Sequence, residues 1–273
     1  MMRSLWTSAT GMSAQMLNID VTSNNIANIN TTGFKRERLE FKSLLYNTLQ
    51  RANLDPANRT GRPVNLEVGH GVRPSAITRM FSQGMLQQTH LPTDFAINGR
   101  GWFQIDMGGG DLLYTRDGSF ALMPTDEGLV LATSDGFHVM SVDGDSIVLG
   151  TDINLENVLI TDQGIFMYLD LDAGEMVELG FQLRVVQFPN VQGLEAAGSN
   201  LFRETVASGA PMFEADGEVT VESRVLQGFL EMSNVQIAEE MISLITAQRA
   251  FDVASRGITT SDEMLQTAMQ LRR

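Results

Sequence analysis

The sequence predicts an α+β protein: N- and C-terminal helices paired as a coiled-coil-like helical domain, with an all-β domain and an extended connector between them. Three observations carry this prediction. Apolar residues recur at alternating spacings of three and four in residues 1–30. A stricter seven-residue repeat runs through the C-terminal segment. Between them the helical period gives way to short apolar runs separated by turn residues.

The N-terminal repeat consists of Met2, Leu5, Ala9, Met12, Met16, Ile19 and Ile26, with one missed beat at Ser23. Gly11 costs such a helix up to ~1 kcal/mol, so a packing partner is expected to hold it. The helix should fade between Ser23 and Gly33. Asn and Thr side chains there compete for backbone hydrogen bonds, and Gly33 suits a left-handed turn. In the C-terminal segment Ile237, Leu244, Phe251, Ile258 and Leu265 fall at every seventh position. Ala247, Ala254, Ser261 and Ala268 follow the last four of them by three residues. Small residues alternating with large ones let a second helix approach closely. Gly257 is expected to kink or loosen this segment, and Ser261-Asp262-Glu263 to restart a turn.

Strand-like runs fill the middle: 95–97, 102–105, 119–122, 128–131, 165–169 and 181–186. Turn signals separate them at Asn98-Gly99, Gly108-Gly109-Gly110, Asp117-Gly118, Asp135-Gly136 and Asp143-Gly144. In segment 41–74, Phe41, Leu44, Leu45 and Leu49 suggest a short helix. Pro56, Gly61, Pro63 and Gly69 then imply an extended or looped stretch. The expected divisions are 1–34 (N-terminal helix), 35–75 (connector), 76–228 (mainly β) and 229–273 (C-terminal helix).

Composition excludes several functions. The chain has 273 residues, 43% hydrophobic, and no cysteine, so thiolate metal sites, disulfides and cysteine nucleophiles are impossible. The three histidines, His70, His90 and His138, form no HxxxH or HxH pair, and no metal or cofactor is expected. Net charge is −14, concentrated in the middle: 22 acids and 4 bases lie between Asp94 and Glu222. Such a surface repels phosphates, so nucleic acid is not an expected partner. No apolar run approaches the ~18 residues of a membrane span, and the N-terminus lacks a cleavable signal pattern. Asn98-Gly99-Arg100-Gly101 lacks the third glycine of a phosphate loop, and a hairpin turn is expected there. Asp143-Gly144-Asp145 lacks the bidentate glutamate of a calcium loop. Asp170 and Asp172 read as an acidic strand face and not as glycosidase carboxylates. No GxSxG motif or histidine near a reactive serine supports hydrolysis. No catalytic residue is therefore assigned.

Two segments at opposite ends carry a family likeness. The run Ser23-Asn24-Asn25-Ile26-Ala27-Asn28-Ile29-Asn30-Thr31-Thr32-Gly33-Phe34-Lys35 resembles the N-terminal signature of bacterial flagellar rod and hook proteins. The matching C-terminal signature is similar to Ser233 through Met241, Gln248-Arg249-Ala250-Phe251 and Thr260 through Leu265. Further likeness to rod members lies in Phe41 through Tyr46, Gly71-Val72-Arg73-Pro74, Tyr114 through Phe120, and Gly198 through Phe202. The resemblance covers 1–123 and 181–273 and weakens across 124–180.

The resemblance implies a structural subunit of the flagellar basal body. It would polymerise helically through its terminal helices, be exported by the type III apparatus without a cleaved signal, and transmit torque. Implied partners are further copies of itself, other rod, hook and ring proteins, and the export apparatus, with no membrane insertion. Subunit packing is expected from Leu5, Met12, Ile19, Asn24, Asn25, Asn28, Ile237, Leu244, Phe251, Ile258 and Leu265. Residues 46–66, marked by Tyr46, Pro56, Gly61, Pro63 and Leu66, occupy the place of a stretch associated in the family with a straight, rigid rod. The alternatives are a proximal rod or hook subunit or, in another class, a β-domain binding module or wall-cleaving hydrolase.

Overall fold

A computed structural model of the chain describes residues 2–54, 61–62, 64–125, 128–150, 157–169, 176–217, 219 and 221–271. Among the described residues there are two long α-helices, α1 (Met2–Ala27) and α2 (Ile237–Gln270), with strands between them. No described helix is long and apolar enough to cross a membrane. The chain forms two compact units. The first comprises Met1–Ala27, Glu37–Arg79 and Gln236–Arg273; the second comprises Asn28–Arg36 and Met80–Val235.

In the first unit the helices pair antiparallel. Ser4 faces Ser261 near one end (Oγ–Oγ 3.1 Å), and Asn25 faces Glu240 near the other. α2 runs unbroken through Gly257 and Ser261, so the expected restarted turn is absent there. A Cβ at Gly257 would lie 2.8 Å from Ser8 Oγ, so the glycine serves a close helix crossing. The Ser261 hydroxyl stays within the helix by donating to Gly257 O at 2.7 Å.

The expected short helix at 41–49 is a strand pair instead. Glu37–Ser43 runs antiparallel to Val72–Arg79, Tyr46–Gln50 to Leu66–Gly69, and Asn53–Leu54 to Gly61–Arg62. They form three successive two-stranded ladders, referred to below as the ribbon. Too short to be stable alone, a helix here loses to the ladder that the returning strand offers.

In the second unit the strand Trp102–Asp106 is central. It pairs with Leu112–Thr115, His138–Val139 and Val185–Gln187. Successive side chains point to opposite faces, and both faces are covered. Phe103 and Ile105 enter a large cluster with Phe95, Ile97, Leu113, Phe120, Leu131 and Phe166. Trp102 enters a second cluster with Tyr114, Val186, Phe188, Leu194 and Phe202. There the rings of Phe81, Trp102 and Phe202 meet edge to face at 5.1–5.7 Å.

All the strand-like runs read from the sequence lie on strands, but 181–186 splits between Met176–Gln182 and Val185–Gln187. The Asn98-Gly99 hairpin is corrected. Phe95–Asn98 pairs with Arg224–Gln227 and not with Trp102–Asp106, so the turn connects two sheets. Gly101 sits there because a Cβ would meet Val185, and its N–H donates to Ser223 Oγ at 2.8 Å.

Candidate functional site

The paired helices are built around small side chains. Ala14, Ala247 and Ser261 are buried in the seam, together with Val21, Thr22, Asn25 and Glu240. Of the large residues expected to pack, Leu5, Met12, Ile19, Leu244, Phe251, Ile258 and Leu265 are half-buried and flank this seam. Ile237 is exposed. The seam on α1 is therefore displaced from the stripe read in the sequence. Met2, Ala9 and Met16 of that stripe are exposed.

A second stripe on α1 thereby becomes visible. Met2, Trp6, Ala9, Ser13 and Met16 recur at spacings of four and three and are all exposed, Trp6 at 71% and Met2 at 72%. Ser13 is the polar member, small and uncharged, and the others are apolar. The next step of this series, Asp20, is its first charge. α2 likewise exposes Ile237, Met241, Ile242, Ile245, Val253, Met264 and Met269. A helix pair with a close-packed seam within and largely apolar stripes without is an unfinished packing unit.

The asparagine cluster is occupied within the chain. Asn25, 1% exposed, donates to Glu37 O at 2.8 Å and accepts from Glu37 N at 2.9 Å. Its carboxamide thus mimics a neighbouring strand. The same Nδ2 reaches the buried Glu240 carboxylate at 3.2 Å. Asn24 donates to Glu37 Oε2 at 3.5 Å, and Asn28 Oδ1 accepts from Thr31 Oγ1 at 3.2 Å. Replacing Asn25 with Ala strands the Glu37 backbone groups and one side of Glu240. The expected result is a loss of about 1–3 kcal/mol from the helical unit, measured as a lower midpoint of the helical circular-dichroism signal. Asn25→Asp should be no better, since it loses the donor and places a carboxylate beside Glu240.

The turn after α1 belongs to the second unit. Gly33 has φ +68°, its N–H donates to Glu231 O at 2.8 Å, and a Cβ there would meet Asp117 N at 2.7 Å. Only glycine combines that conformation with that approach. Beyond it lies a buried ion cluster that the sequence reading missed. Lys35 Nζ is 2.6 Å from Glu231 Oε1, and Arg116 Nη1 is 3.2 Å from Glu231 Oε2, all three side chains being at most 5% exposed. Backbone groups meet several of the remaining donors and acceptors, while Arg116 Nε is buried without a hydrogen-bond partner among the described residues. Lys35 donates to Ser82 O, Arg116 donates to Gly99 O, and Gly84 N–H donates to Glu231 Oε1. Arg116 also stacks over Trp102, 5.4 Å from the ring centroid. Burial pulls the Lys35 ammonium below its ordinary pKa, against the opposing pull of Glu231. The available signal was position: Lys35 and Arg116 lie inside the family-like runs, and Glu231 stands two residues before Ser233.

In the stretch 46–66, Tyr46 and Leu66 are exposed on the ribbon, and Gly61 pairs with Leu54. Pro56 and Pro63 lie outside the described residues, as do Asp170 and Asp172. Each described strand of the stretch pairs only with its partner in a two-stranded sheet.

No described cluster of three or more His, Asp or Glu residues is placed to hold a metal. One histidine–serine pair does form, which the sequence did not suggest: His138 Nδ1 lies 3.2 Å from Ser146 Oγ. It cross-links the hairpin closed by the Met140–Ser146 bridge. A cavity of about 260 Å³ is lined by Gln163, Gln182, Glu214, Glu222 and Ser223 among others. The Glu214 carboxylate is already engaged by Ser223 and Gln187, each at 2.7 Å.

Comparison with known proteins gives matches in three segments. Residues 5–35 match the family described as flagella basal body rod protein, and 226–271 match the flagellar basal body rod FlgEFG protein C-terminal family. Residues 96–168 match the flagellar hook protein FlgE/F/G D1 domain. The likeness expected to weaken after 123 thus continues well into the middle. A flagellar basal-body rod protein FlgG of Borreliella burgdorferi is 44% identical over the full length of both chains. The FlgG of Caulobacter vibrioides is 40% identical over 99% of this chain and all of its own. That of Bacillus subtilis is 37% identical over the full length of both.

Proposed function

The chain belongs to the flagellar basal-body rod protein family, and we propose that it forms the distal part of the rod by helical polymerisation through its paired terminal helices. It is a structural subunit of the rod. The observation that carries the polymerisation reading is the contrast between the two units. The second closes its own core. The helices of the first keep apolar stripes in solvent: Met2, Trp6, Ala9 and Met16 on α1, and Ile237, Met241 and Ile245 on α2. Many copies packed through such stripes would transmit torque along the rod. Leu5, Met12, Ile19, Leu244, Phe251, Ile258 and Leu265, half-buried in a single copy, would complete their burial at these contacts. A fully buried side chain of this size contributes about 1.5–3 kcal/mol.

The role proposed is mechanical and not enzymatic. Its place is the basal body, reached by type III export, with other rod, hook and ring proteins as neighbours.

The ribbon is proposed to set stiffness. A two-stranded ribbon is marginal in isolation, and its exposed Leu45, Tyr46, Leu49, Val64 and Leu66 offer apolar contacts. Held between neighbours, it would oppose the sliding of one copy past another. Removing residues 46–66 is expected to give curved or lengthened assemblies, scored by electron microscopy of basal bodies. Straight rods of normal length from that deletion would refute the stiffening role.

A further inference from the structure

Methionine is distributed in this chain in an unusual way. The sequence holds 16 methionines and no cysteine. Neither hydrophobic cluster of the second unit contains a methionine, although it is a common core residue. Met140 is buried outside those clusters, and of the nine exposed methionines among the described residues five, Met2, Met16, Met241, Met264 and Met269, stand on the two helices, at 72%, 59%, 52%, 47% and 68% exposure. They lie on or beside the apolar stripes assigned to polymerisation. Met2 and Met16 frame the α1 stripe, and Met2 is one helical turn from Trp6. A flexible thioether suits a surface that must fit neighbours imperfectly.

The same placement exposes these sulfurs to oxidation. With no thiol in the chain, no faster sacrificial group competes for a peroxide. We propose that these five methionines are peroxide-reactive modification sites whose oxidation blocks self-association of the free subunit. This rests on the polymerisation reading above. In the reaction a sulfur lone pair attacks the peroxide oxygen, the O–O bond breaks, and the sulfur keeps one oxygen as sulfoxide. With hydrogen peroxide, the other oxygen takes both hydrogens and leaves as water. Sulfur is oxidised by two electrons and the peroxide reduced by two. The product carries a strong hydrogen-bond acceptor on an otherwise apolar side chain, so burying it against a neighbour leaves that acceptor unmet. Assembled copies would be protected, because assembly covers the sulfurs. A thiol-driven methionine sulfoxide reductase would return the subunit to use.

The test uses the full chain, unassembled, treated with hydrogen peroxide. Peptide mass spectrometry locates the sulfoxides, and light scattering with electron microscopy reads assembly against protein concentration. The concentration needed for half-assembly should rise at least tenfold and fall back after reductase treatment. A chain with Met2, Met16, Met241, Met264 and Met269 all replaced by Leu should assemble equally before and after peroxide, although Met80, Met85, Met107 and Met176 remain open to oxidation. Unchanged assembly of the oxidised parent overturns the proposal. So does equal peroxide sensitivity of the Leu variant, which would place the damage elsewhere. Failure of the untreated parent to assemble overturns the polymerisation reading itself, and this proposal with it.

Discussion

A chain ending at Gln236 forms no rods, yet its β unit folds. Removing α2 deletes one whole side of the helical seam, from Glu240 to Leu265, and leaves α1 with only the strands Glu37–Ser43 and Val72–Arg79 beside it. A helix of this length with Gly11 inside it has little stability of its own. The second unit loses none of its own residues. Its two hydrophobic clusters, the Lys35–Glu231–Arg116 ions and the Gly33–Glu231 backbone bond all lie within Asn28–Arg36 and Met80–Val235. Electron microscopy should show complete loss of assembly. Trp102, fully buried, should keep a blue-shifted emission in a Trp6→Phe background. Normal rods from the truncated chain would refute assembly through the terminal helices. Loss of the Trp102 signal would refute the independence of the β unit.

Glu231→Ala is expected to remove about 3–5 kcal/mol from the β unit, the usual consequence of breaking a buried ion cluster by removing one partner. Two cations, Lys35 and Arg116, would lose the one carboxylate that pairs with both, and Gly84 N–H would lose its acceptor. Urea unfolding followed by Trp102 fluorescence measures the loss. The pH dependence has a definite sign. Lys35 is already held below its ordinary pKa by burial, and losing Glu231 removes the group that opposes this shift. In the variant the unfolded chain therefore binds more protons than the folded one. Stability should rise as pH climbs from the lowered Lys35 value toward the ordinary lysine range, so part of the loss is regained in alkali. A loss under about 1 kcal/mol, well short of the usual cost of breaking such a cluster, or one that deepens with pH in that window, would show that the cluster does not work in this way.

Helix and strand were legible because both follow from local period. The three-four rhythm of the N-terminus and the heptads after Ile237 gave α1 and α2, and short apolar runs between turn residues gave the strands. The segment 41–49 defeated that logic. Phe41, Leu44, Leu45 and Leu49 have helical spacing, but the strand that competes for their backbone lies at 66–79, outside any local window. The candidate packing residues were legible as a set, although their facing was not. On α1 the sequence pointed to the large residues. The partner helix instead closes on Ala14 and on Ala247, Gly257 and Ser261, where backbones can approach. Asn25 and Gly33 stood out as unusual residues in an unusual run. Their purposes, a carboxamide standing in for a strand and a glycine against the backbone of residue 117, required partners that no period encodes.

The sequence by itself determined that the helices stand at the two ends, that the middle is β, and that the chain resembles the flagellar rod and hook proteins. These follow from residue order read locally. Only the tertiary structure decided which helical face is the seam and which stays exposed. The depth of a helical position depends on how closely its partner approaches, and small residues, not large ones, set that distance. Tertiary structure also brought Lys35 to Glu231 across 196 residues and Arg116 to the same carboxylate across 115. A buried charge is stable only beside its counter-charge, and that proximity exists only once the chain has folded.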